Sequence, residues 1–253
     1  MYRVDLNCDL GESFGHYSIG MDSKVIQIVS SVNIACGAHA GDPLVMERTV
    51  KAARLSGVAV GAHPGYPDLQ GFGRRNMGLS PKEAAAYVTY QVGALQAFCR
   101  QQGITMQHVK PHGALYNTAA KNQDLAYAIA EAVNAIDPTL ILMGLAGSES
   151  IKAAKAVGLR TAEEVFADRA YEEDGSLRAR TKPDAMIEDE EEAVRRVVRM
   201  IKEGRVTAVT GKDIPIKADS ICVHGDGEKA LLFVKKIREA LTAENIRIAP
   251  LGN

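Results

Sequence analysis

The sequence predicts an α/β protein in which a parallel β-sheet is covered by helices. Short apolar runs alternate with helical stretches from the start of the chain, which is the pattern of parallel sheets. Several of the helical stretches begin at recognisable caps. The 253 residues are enough for one domain that buries roughly three quarters of its unfolded surface. No linker or low-complexity tract divides them, so we expect a single domain over residues 1–253.

The predicted strands and helices follow one another in chain order. The strands are YRVDLNC, VNIAC, VAVGA, QHVK and LILMG, at residues 2–8, 32–36, 58–62, 107–110 and 140–144. The helices after them begin near Ser23, at Asp42, at Ser80, near Asn122 and at Ser148. This order is typical of repeated β/α units.

The helix starts carry capping signals. In SPKE at residues 80–83, Ser80 caps the helix, Pro81 presets its first turn and Glu83 completes a capping box. GDP at residues 41–43 offers an aspartate and a proline in the same way. EDEEEAVRRVVRMIKEG, at residues 188–204, places its apolar residues on one stripe with acids before bases. That pattern predicts a solvated helix with a favourable dipole.

Composition favours small-molecule chemistry. The formal net charge is −1 and no basic cluster recurs along one face, so we expect no nucleic acid and no membrane as partner. The first residues lack a leader pattern, and no uncharged stretch approaches the roughly 18 residues of a membrane span. We therefore expect a cytoplasmic protein. The four cysteines form no C-x-x-C pair, which indicates buried reduced thiols. Self-association as a homo-oligomer stays open.

Two long irregular stretches, at residues 63–79 and 168–188, are rich in arginine. Ordered loops of this length usually serve a function. GFGRRNMG, within the first stretch, presents Arg74 and Arg75, which suit the bidentate capture of a carboxylate or phosphate. Neither this segment nor VTGKD at residues 209–213 matches a nucleotide-binding motif. The sequence therefore does not place an ATP site.

Side chains alternate between the two faces of a strand. In VDLNCD, Val4, Leu6 and Cys8 share one face, and Asp5, Asn7 and Asp9 share the other. Polar residues on a buried face need partners or solvent. We therefore expect the polar face of this strand to lead towards a site.

Histidines follow several of the predicted strands. His39 ends NIACGAH, His63 ends VAVGAH, and His108, Lys110 and His112 share one face in the next strand. His224 and Asp226 share a face in ICVHGD. A closed barrel would gather all strand ends at one mouth, whereas a doubly wound sheet would line a crevice with them.

The residues alone leave the chemistry of these histidines open. Asp9 with His39, His63 or His112 offers oxygen and nitrogen ligands for a metal. Neutral imidazoles are equally suited to proton transfer. Each strand-end histidine can also serve as a packing residue with a hydrogen bond, and Lys110 as a structural ion-pair partner of Asp9 or Glu12.

Six ordered blocks identify a resemblance. NCDLGESFG, NIACGAHAGDP, GAHPGYPDLQGFGRR, VKPHGALYN, EVFADRAY and CVHGD occur in this order, and the chain closely resembles the LamB/YcsF family from about residue 5 to residue 250. The resemblance implies a distorted seven-stranded β/α (TIM-like) barrel of the glycoside hydrolase/deacetylase type. It also implies ATP-dependent opening of the 5-oxoproline lactam to L-glutamate, in a complex with 5-oxoprolinase subunits B and C.

The blocks also carry over site residues. The resemblance implies as catalytic candidates Asp9, Glu12, Lys110, His112 and Asp168. It implies as substrate-binding candidates His63, Arg74, Arg75, Arg169, His224 and Asp226. Related deacetylases hold a divalent metal with an aspartate of the first strand and two histidines, which makes Asp9, His39 and His112 the metal candidates. The site that uses ATP is left open, either on this chain or on a partner subunit.

The implied reaction suits the expected site. Lactam hydrolysis is unfavourable without coupling, and phosphorylation of the amide oxygen would make the ring carbon electrophilic. Water could then attack with help from Asp9 or a histidine, while Lys110 steadies the oxyanion and Arg74 or Arg75 holds the substrate carboxylate. Two alternatives stay open: a metal-dependent deacetylase acting on an amino sugar, and a non-catalytic substrate-binding subunit.

Overall fold

A computed structural model describes residues 1–223 and 227–252. Its strands are β1 (Arg3–Leu10), β2 (Ser31–Ala35), β3 (Ala59–His63), β4 (His108–Val109), β5 (Ile141–Leu145), β6 (Arg160–Phe166), β7 (Arg205–Thr207), β8 (Asp213–Pro215), β9 (Ser220–Val223) and β10 (Arg247–Ile248). The strands β1 to β6 pair in parallel in chain order, and β9 pairs in parallel with both β6 and β1. Seven strands therefore close into a barrel, which confirms the expected fold class and settles the choice between barrel and open sheet.

Helices surround the barrel. They are α1 (Asp22–Val25), α2 (Pro43–Ser56), α3 (Pro81–Gln101), α4 (Gly113–Ala119), α5 (Gln123–Ile136), α6 (Glu149–Ala156), α7 (Glu190–Glu203) and α8 (Glu228–Ala243). The capping box at Ser80 is confirmed, because its hydroxyl accepts from the Glu83 amide and the Glu83 carboxylate accepts from the Ser80 amide. The helix expected from Ser23 is only the single turn α1, since β2 already begins at Ser31.

Some elements do not follow from the sequence patterns. The helix α4 begins with Gly113 and has no side-chain cap, so it lacks a start signal. The strand β6 carries Glu163 and Glu164. Glutamate is rarely buried in a strand unless it has a partner, and the sequence does not show which partner that is. The antiparallel pair β7 and β8 and the strand β10 are too short to show a period.

The barrel interior is polar near β1, as the alternation of its side chains predicts. The amide of Asn7 donates to Glu164 Oε1 at 3.0 Å and to Ser220 Oγ at 2.7 Å. The amide of Asn33, on β2, donates to Asn7 Oδ1 at 2.7 Å and to Asp9 Oδ1 at 2.8 Å. This chain of hydrogen bonds satisfies the buried polar groups and leads along the barrel axis to its mouth.

The opposite face of β1 belongs to the hydrophobic core between barrel and helices. Val4, Leu6 and Cys8 are all buried there. Within the described residues, all four cysteines are buried thiols without a disulfide, as expected. None of the helices formed by residues 1–223 and 227–252 is long and apolar enough to cross a membrane.

Candidate active site

A cavity of about 520 Å³ opens at the carboxyl ends of the barrel strands. Its floor includes Asp9 at the end of β1 and His63 at the end of β3. Both long irregular stretches contribute to its walls, the first through Phe72 and Arg74 and the second through Arg169 and residues 176–181. In β/α barrels this end carries the active site.

Three histidines pack against one another beside the floor. The rings of His39 and His112 are stacked, with centroids 3.7 Å apart, and His63 meets His112 edge-on at 4.8 Å. Glycine makes this packing feasible. A Cβ atom on Gly73, which has a φ of +61°, would lie 2.7 Å from the Cβ of His39 and 2.8 Å from the Cδ2 of His112. A Cβ on Gly65 would lie 2.5 Å from the Nδ1 of His39.

Backbone carbonyls fix the tautomers of two of these rings. His63 donates its Nδ1 hydrogen to the carbonyl of Lys110 at 2.7 Å, and His112 donates its Nε2 hydrogen to the carbonyl of Phe72 at 2.8 Å. The remaining nitrogens, His63 Nε2 and His112 Nδ1, lie 2.9 Å apart. Burial, followed by the neighbouring His63, lowers the pKa of His112 to about 3. Two lone pairs therefore face each other, an arrangement that calls for a shared proton or a cation.

Two carboxylates complete the cluster. Asp9 Oδ2 lies 3.2 Å from His63 Nε2. Glu12 Oε1 lies 3.7 Å from His39 Nε2 and 3.8 Å from His112 Nδ1. Both ring nitrogens of His39 are buried without a hydrogen-bond partner within residues 1–223 and 227–252. Burial, then the two other histidines, holds the pKa of His39 well below its ordinary value, so this ring is neutral.

The geometry of a metal site emerges from four of these residues. One ligand atom each from Glu12, His39, His63 and His112 lies within 4.8 Å of the others. Three imidazole nitrogens and a carboxylate oxygen are a suitable ligand set for zinc and related divalent cations. His39 and His112 were expected as ligands. Asp9 was also expected but is not in this group; its Oδ1 accepts from Lys110 at 3.0 Å, and its Oδ2 lies beside His63.

Lys110 is buried beneath the histidines and holds two carboxylates. Its Nζ lies 3.0 Å from Asp9 Oδ1 and 2.8 Å from Glu164 Oε1. It also contacts Asn7 Oδ1 and the sulfur of Cys222, both at 3.2 Å. Burial alone would lower the pKa of Lys110, but the carboxylates of Asp9 and Glu164 raise it well above its ordinary value. Two carboxylates within 3.0 Å therefore favour the charged form of Lys110.

Glu164 is the functional residue that the sequence patterns missed. It is fully buried on β6, and its Oε2 accepts from the hydroxyl of Tyr116 at 2.7 Å. The ion-pair partner expected for Lys110 was Asp9 or Glu12; the structure confirms Asp9 and adds Glu164. Recognising RTAEEVF as a strand would have placed Glu164 on an interior face.

The arginine candidates divide into those at the cavity and one away from it. Arg74 and Arg169 line the cavity, and the guanidinium carbon of Arg74 lies 5.0 Å from the centre of the Phe72 ring. Arg75 forms an ion pair with Asp68 and is not part of the lining, as far as the described residues define it. Arg74 and Arg75, which look equivalent in sequence, therefore have different surroundings.

Four other residues were singled out by the sequence. One lies inside the barrel, one lies outside the cavity lining, and two fall outside the described residues. His108 is buried inside the barrel, where its Nε2 meets Asn33 Oδ1 at 2.7 Å. Asp168 is partly buried just after β6, and its carbonyl accepts from the Ile187 amide at 2.8 Å. Within the part of the chain that is described, Asp168 is not in the cavity lining. His224 and Asp226 lie outside the described residues.

Comparison with known proteins shows the family of the chain and agrees with the fold. The model of the LamB/YcsF family matches residues 4–253. The 5-oxoprolinase A subunit of Clostridium beijerinckii is 68% identical over 251 residues, covering 99% of this chain and 98% of that protein. The crystal structure of a lactam utilization protein from Thermus thermophilus has a TM-score of 0.92 at 46% identity, covering 98% of this chain and 99% of that one.

A more distant structure shares the fold. The family 4 carbohydrate esterase of Streptomyces lividans superposes with a TM-score of 0.50 at 14% identity, covering 99% of this chain and 93% of the esterase. At this level of identity the likeness extends to the barrel architecture alone.

Proposed function

The chain belongs to the LamB/YcsF family, and from this premise we propose that it opens the lactam ring of 5-oxoproline to give L-glutamate. In this proposal the reaction is coupled to ATP, and the chain works in one complex with 5-oxoprolinase subunits B and C. The relatives named for 5-oxoprolinase and for lactam utilization support the substrate class. One observation in the site carries the chemistry.

That observation is the convergence of two imidazole ring nitrogens on the carboxylates of Asp9 and Glu12, next to a buried ammonium group. Hydrolysis of an amide needs a base for the attacking water and positive potential near the carbonyl oxygen. The inner nitrogens of His63 and His112 lie 2.9 Å apart, so the proton taken from that water can be held between them. The arrangement thus offers both requirements in one cavity.

The role of Lys110 follows from its partners. An ammonium group has three hydrogens to donate, and Asp9, Glu164 and Asn7 already lie within 3.2 Å of its Nζ. We therefore assign Lys110 a positioning role. It holds Asp9 against His63 and supplies positive potential to the floor, and it does not need to bond the reacting oxygen directly.

Substrate orientation falls to Arg74. The substrate carries a carboxylate next to the ring nitrogen, and arginine binds carboxylates in a bidentate fashion. Arg74 lies on the cavity wall and is steadied by its contact with Phe72. Arg75 is unsuited to this task because Asp68 already occupies its guanidinium group.

The coupling to ATP has a thermodynamic reason. A five-membered lactam is a stabilised amide, and phosphorylation of its oxygen by ATP would make the ring carbon electrophilic. Water then adds to this carbon, the ring C–N bond breaks as the nitrogen takes up a proton, and hydrolysis of the resulting acyl phosphate releases inorganic phosphate and L-glutamate. No nucleotide-binding motif is present in the sequence, so in this proposal a partner subunit carries the ATP site. The described cavity then receives the activated ring and positions water next to it.

A divalent cation fits the cluster of Glu12, His39, His63 and His112. Bound there, it would lower the pKa of a water molecule and polarise a carbonyl group. Three features suit a metal site. Burial lowers the pKa of His39 and of His112, the far ring nitrogens of His63 and His112 donate to backbone carbonyls, and the ring nitrogens of His39 have no hydrogen-bond partner within the described residues.

This metal cluster favours a second candidate function, a metal-dependent deacetylase acting on an amino sugar. Both functions hydrolyse an amide, and they differ in the need for ATP. A chelator-sensitive release of acetate from an acetylated amino sugar without ATP would support the deacetylase. A non-catalytic, substrate-binding subunit is the remaining alternative, and it predicts that substitutions at His112 leave turnover unchanged.

The deciding experiment measures L-glutamate released from 5-oxoproline by the chain assembled with its native partner subunits. We expect release only with ATP, and a loss of at least about 100-fold for His112→Ala, the size typical of a missing acid or base. His16→Ala serves as the matched control, because His16 is exposed and is not part of the cavity lining within the described residues. Glutamate release that is unchanged in His112→Ala would exclude the assigned role.

A further inference from the structure

The outer part of the cavity is more cationic than a monocarboxylate substrate requires. Six cationic side chains line the cavity among the described residues, namely Arg74, Lys110, Lys121, Arg169, Arg178 and Arg180. Only Asp9 and Glu12 line it as acids in the same part of the chain. The excess of positive charge lies on the side formed by residues 169–181, away from the histidines.

Two of the six cations are already neutralised. Lys110 is paired with Asp9 and Glu164. Arg178 is paired with Glu172 at 3.2 Å, and its Nε donates to the carbonyl of Pro183 at 2.9 Å. The other four make no ion pair with any residue in the ranges 1–223 and 227–252.

Arg169 is the most informative of the four. Only 6% of it is exposed, and its Nε has no hydrogen-bond partner among the described residues. Its terminal Nη2 donates to the carbonyl of Arg178 at 2.6 Å. Burial, then the charge of Arg180, lowers the pKa of Arg169, and the adjacent Asp168 opposes this shift only in part. A buried guanidinium group next to a second arginine is costly unless an anion compensates for it.

The loop that carries these arginines is well braced. Tyr171 pairs with Leu177 and Arg169 pairs with Met186 in isolated antiparallel bridges. The amide of Arg178 donates to the carbonyl of Ala170 at 2.9 Å. Arg180 therefore projects from a fixed support, two residues beyond Arg178, and its exposed side chain lines the same cavity as Arg169.

We propose that Arg169 and Arg180 form a phosphoryl-binding subsite at the outer wall of the cavity, with Lys121 at its edge. Arginine pairs suit a phosphoryl dianion because each guanidinium group can bond two of its oxygens. 5-Oxoproline itself carries one carboxylate, which Arg74 can meet. The remaining cations need a second anionic group, and a phosphoryl group carries the charge that they lack.

This inference rests on the proposed function, since it gives the activating phosphate a place near the reacting ring. The phosphoryl group has two conceivable sources. It belongs either to a nucleotide that reaches into the cavity or to a small phosphorylated acid that a partner subunit delivers. Both sources share the same chemistry at Arg169 and Arg180.

Direct binding to the full chain tests the subsite without any turnover. Inorganic phosphate is titrated into the wild type, Arg180→Ala, Arg169→Lys and Arg54→Ala by calorimetry at low ionic strength. We expect Arg180→Ala to raise the dissociation constant of phosphate at least about tenfold, the size expected for one charge-assisted pair. Arg169→Lys keeps the positive charge but loses the paired N–H donors of the guanidinium group. We therefore expect it to weaken phosphate binding as well.

Arg54→Ala is the matched control. Arg54 is exposed in the last turn of α2, so it lies at the opposite end of the barrel from the cavity and carries the same charge. We expect its phosphate affinity to stay within about twofold of the wild type. Equal phosphate affinity in the wild type, Arg180→Ala and Arg169→Lys would overturn the proposal, as would a wild type that binds no phosphate.

Two competitors identify the source of the phosphoryl group. A non-hydrolysable ATP analogue that displaces phosphate supports a nucleotide, and displacement by 2-amino-5-phosphonopentanoate alone supports a phosphorylated small acid. Displacement by neither compound overturns the subsite. Because these titrations need no lactam, intact phosphate binding in a complex that releases no glutamate would refute the proposed function and leave the subsite standing.

Discussion

The Nε2 atom of His63 and the Nδ1 atom of His112 lie 2.9 Å apart, and each ring donates its other N–H to a backbone carbonyl. The carbonyls therefore turn both lone pairs towards each other and towards Asp9 and Glu12. A pair of this kind is stable only with a proton or a cation between the nitrogens. The rest of the site is organised around this requirement.

Metal binding is the first prediction. We expect the full chain to bind one Zn²⁺ or Co²⁺ in the cluster, and His39→Ala to weaken that binding at least about tenfold, because His39 supplies an otherwise unpartnered nitrogen within the described residues. Calorimetry with Zn²⁺ and the visible absorption of Co²⁺ provide two independent readouts. His16→Ala, which removes an exposed histidine, should bind like the wild type. Equal affinity in His39→Ala would argue against this ligand set.

A second prediction concerns the backbone at Gly73. Alanine there would place a Cβ within 2.8 Å of both His39 and His112, at a φ of +61° that non-glycine residues rarely adopt. We expect Gly73→Ala to lower glutamate release at least about 100-fold and to reduce the free energy of unfolding by about 1–3 kcal/mol. Gly78→Ala is the control, since nothing lies within 4 Å of its Cβ position among the described residues. Similar activities of the two variants would show that the histidine packing tolerates displacement.

The third prediction tests the buried ion pair between Lys110 and Glu164. Glu164→Gln keeps the shape of the side chain but removes one of the two carboxylates that balance a buried ammonium group. Removing one partner of a buried ion pair costs about 3–5 kcal/mol when nothing replaces it, and the glutamine oxygen can still accept a hydrogen bond. We therefore expect a loss of about 1–3 kcal/mol in the free energy of unfolding, measured with urea.

A surface ion pair gives the control for Glu164. Glu203 pairs with Arg199 at 2.9 Å on the exposed side of α7, and such pairs contribute at most about 1 kcal/mol. Glu203→Gln should therefore change the free energy of unfolding by less than about 0.5 kcal/mol. If the two variants unfold at the same urea concentration, Glu164 has no special role in the barrel interior.

Much of the site follows from the alternation of side chains along strands. The period of two places Asp5, Asn7 and Asp9 on one face of β1, and the structure finds their side chains inside the barrel. The parallel order of the strands brings His39, His63 and His112 together at one mouth. These predictions succeed because they depend only on the strand period and on the shared end of a parallel sheet.

Other features depend on contacts that no local pattern contains. Glu12 lies beyond the end of β1, where the period of the strand no longer fixes its direction, so its place among the histidines was not predictable. Arg74 and Arg75 are neighbours in one loop, and only the position of Asp68 decides which of them is occupied by an ion pair. Glu164 is unremarkable in sequence until β6 is closed against β9 and brought within reach of Lys110.

The last prediction uses the buried carboxyl of Asp5. Burial raises its pKa, although hydrogen bonds from Ser220, Ser30 and Ser31 oppose the shift. The hydroxyls of Ser30 and Ser31 donate to its two oxygens at 2.7 and 2.8 Å. In the unfolded chain the carboxyl loses its proton near its usual pKa of about 3.9, whereas the folded protein retains that proton to a higher pH.

The unfolded state consequently binds fewer protons than the folded state between these two pKa values, and the contribution of Asp5 to stability falls as the pH rises through that window. Asp5→Asn has no titrating carboxyl at this position. Subtracting its free energy of unfolding from that of the wild type therefore removes the contribution of the other titrating groups. We expect the free energy of unfolding of the wild type, measured with urea relative to Asp5→Asn, to decrease from about pH 4 upwards. A difference that is constant with pH would mean that the three hydroxyl donors balance burial, and one that grows with pH would mean that they outweigh it; either result would contradict the prediction.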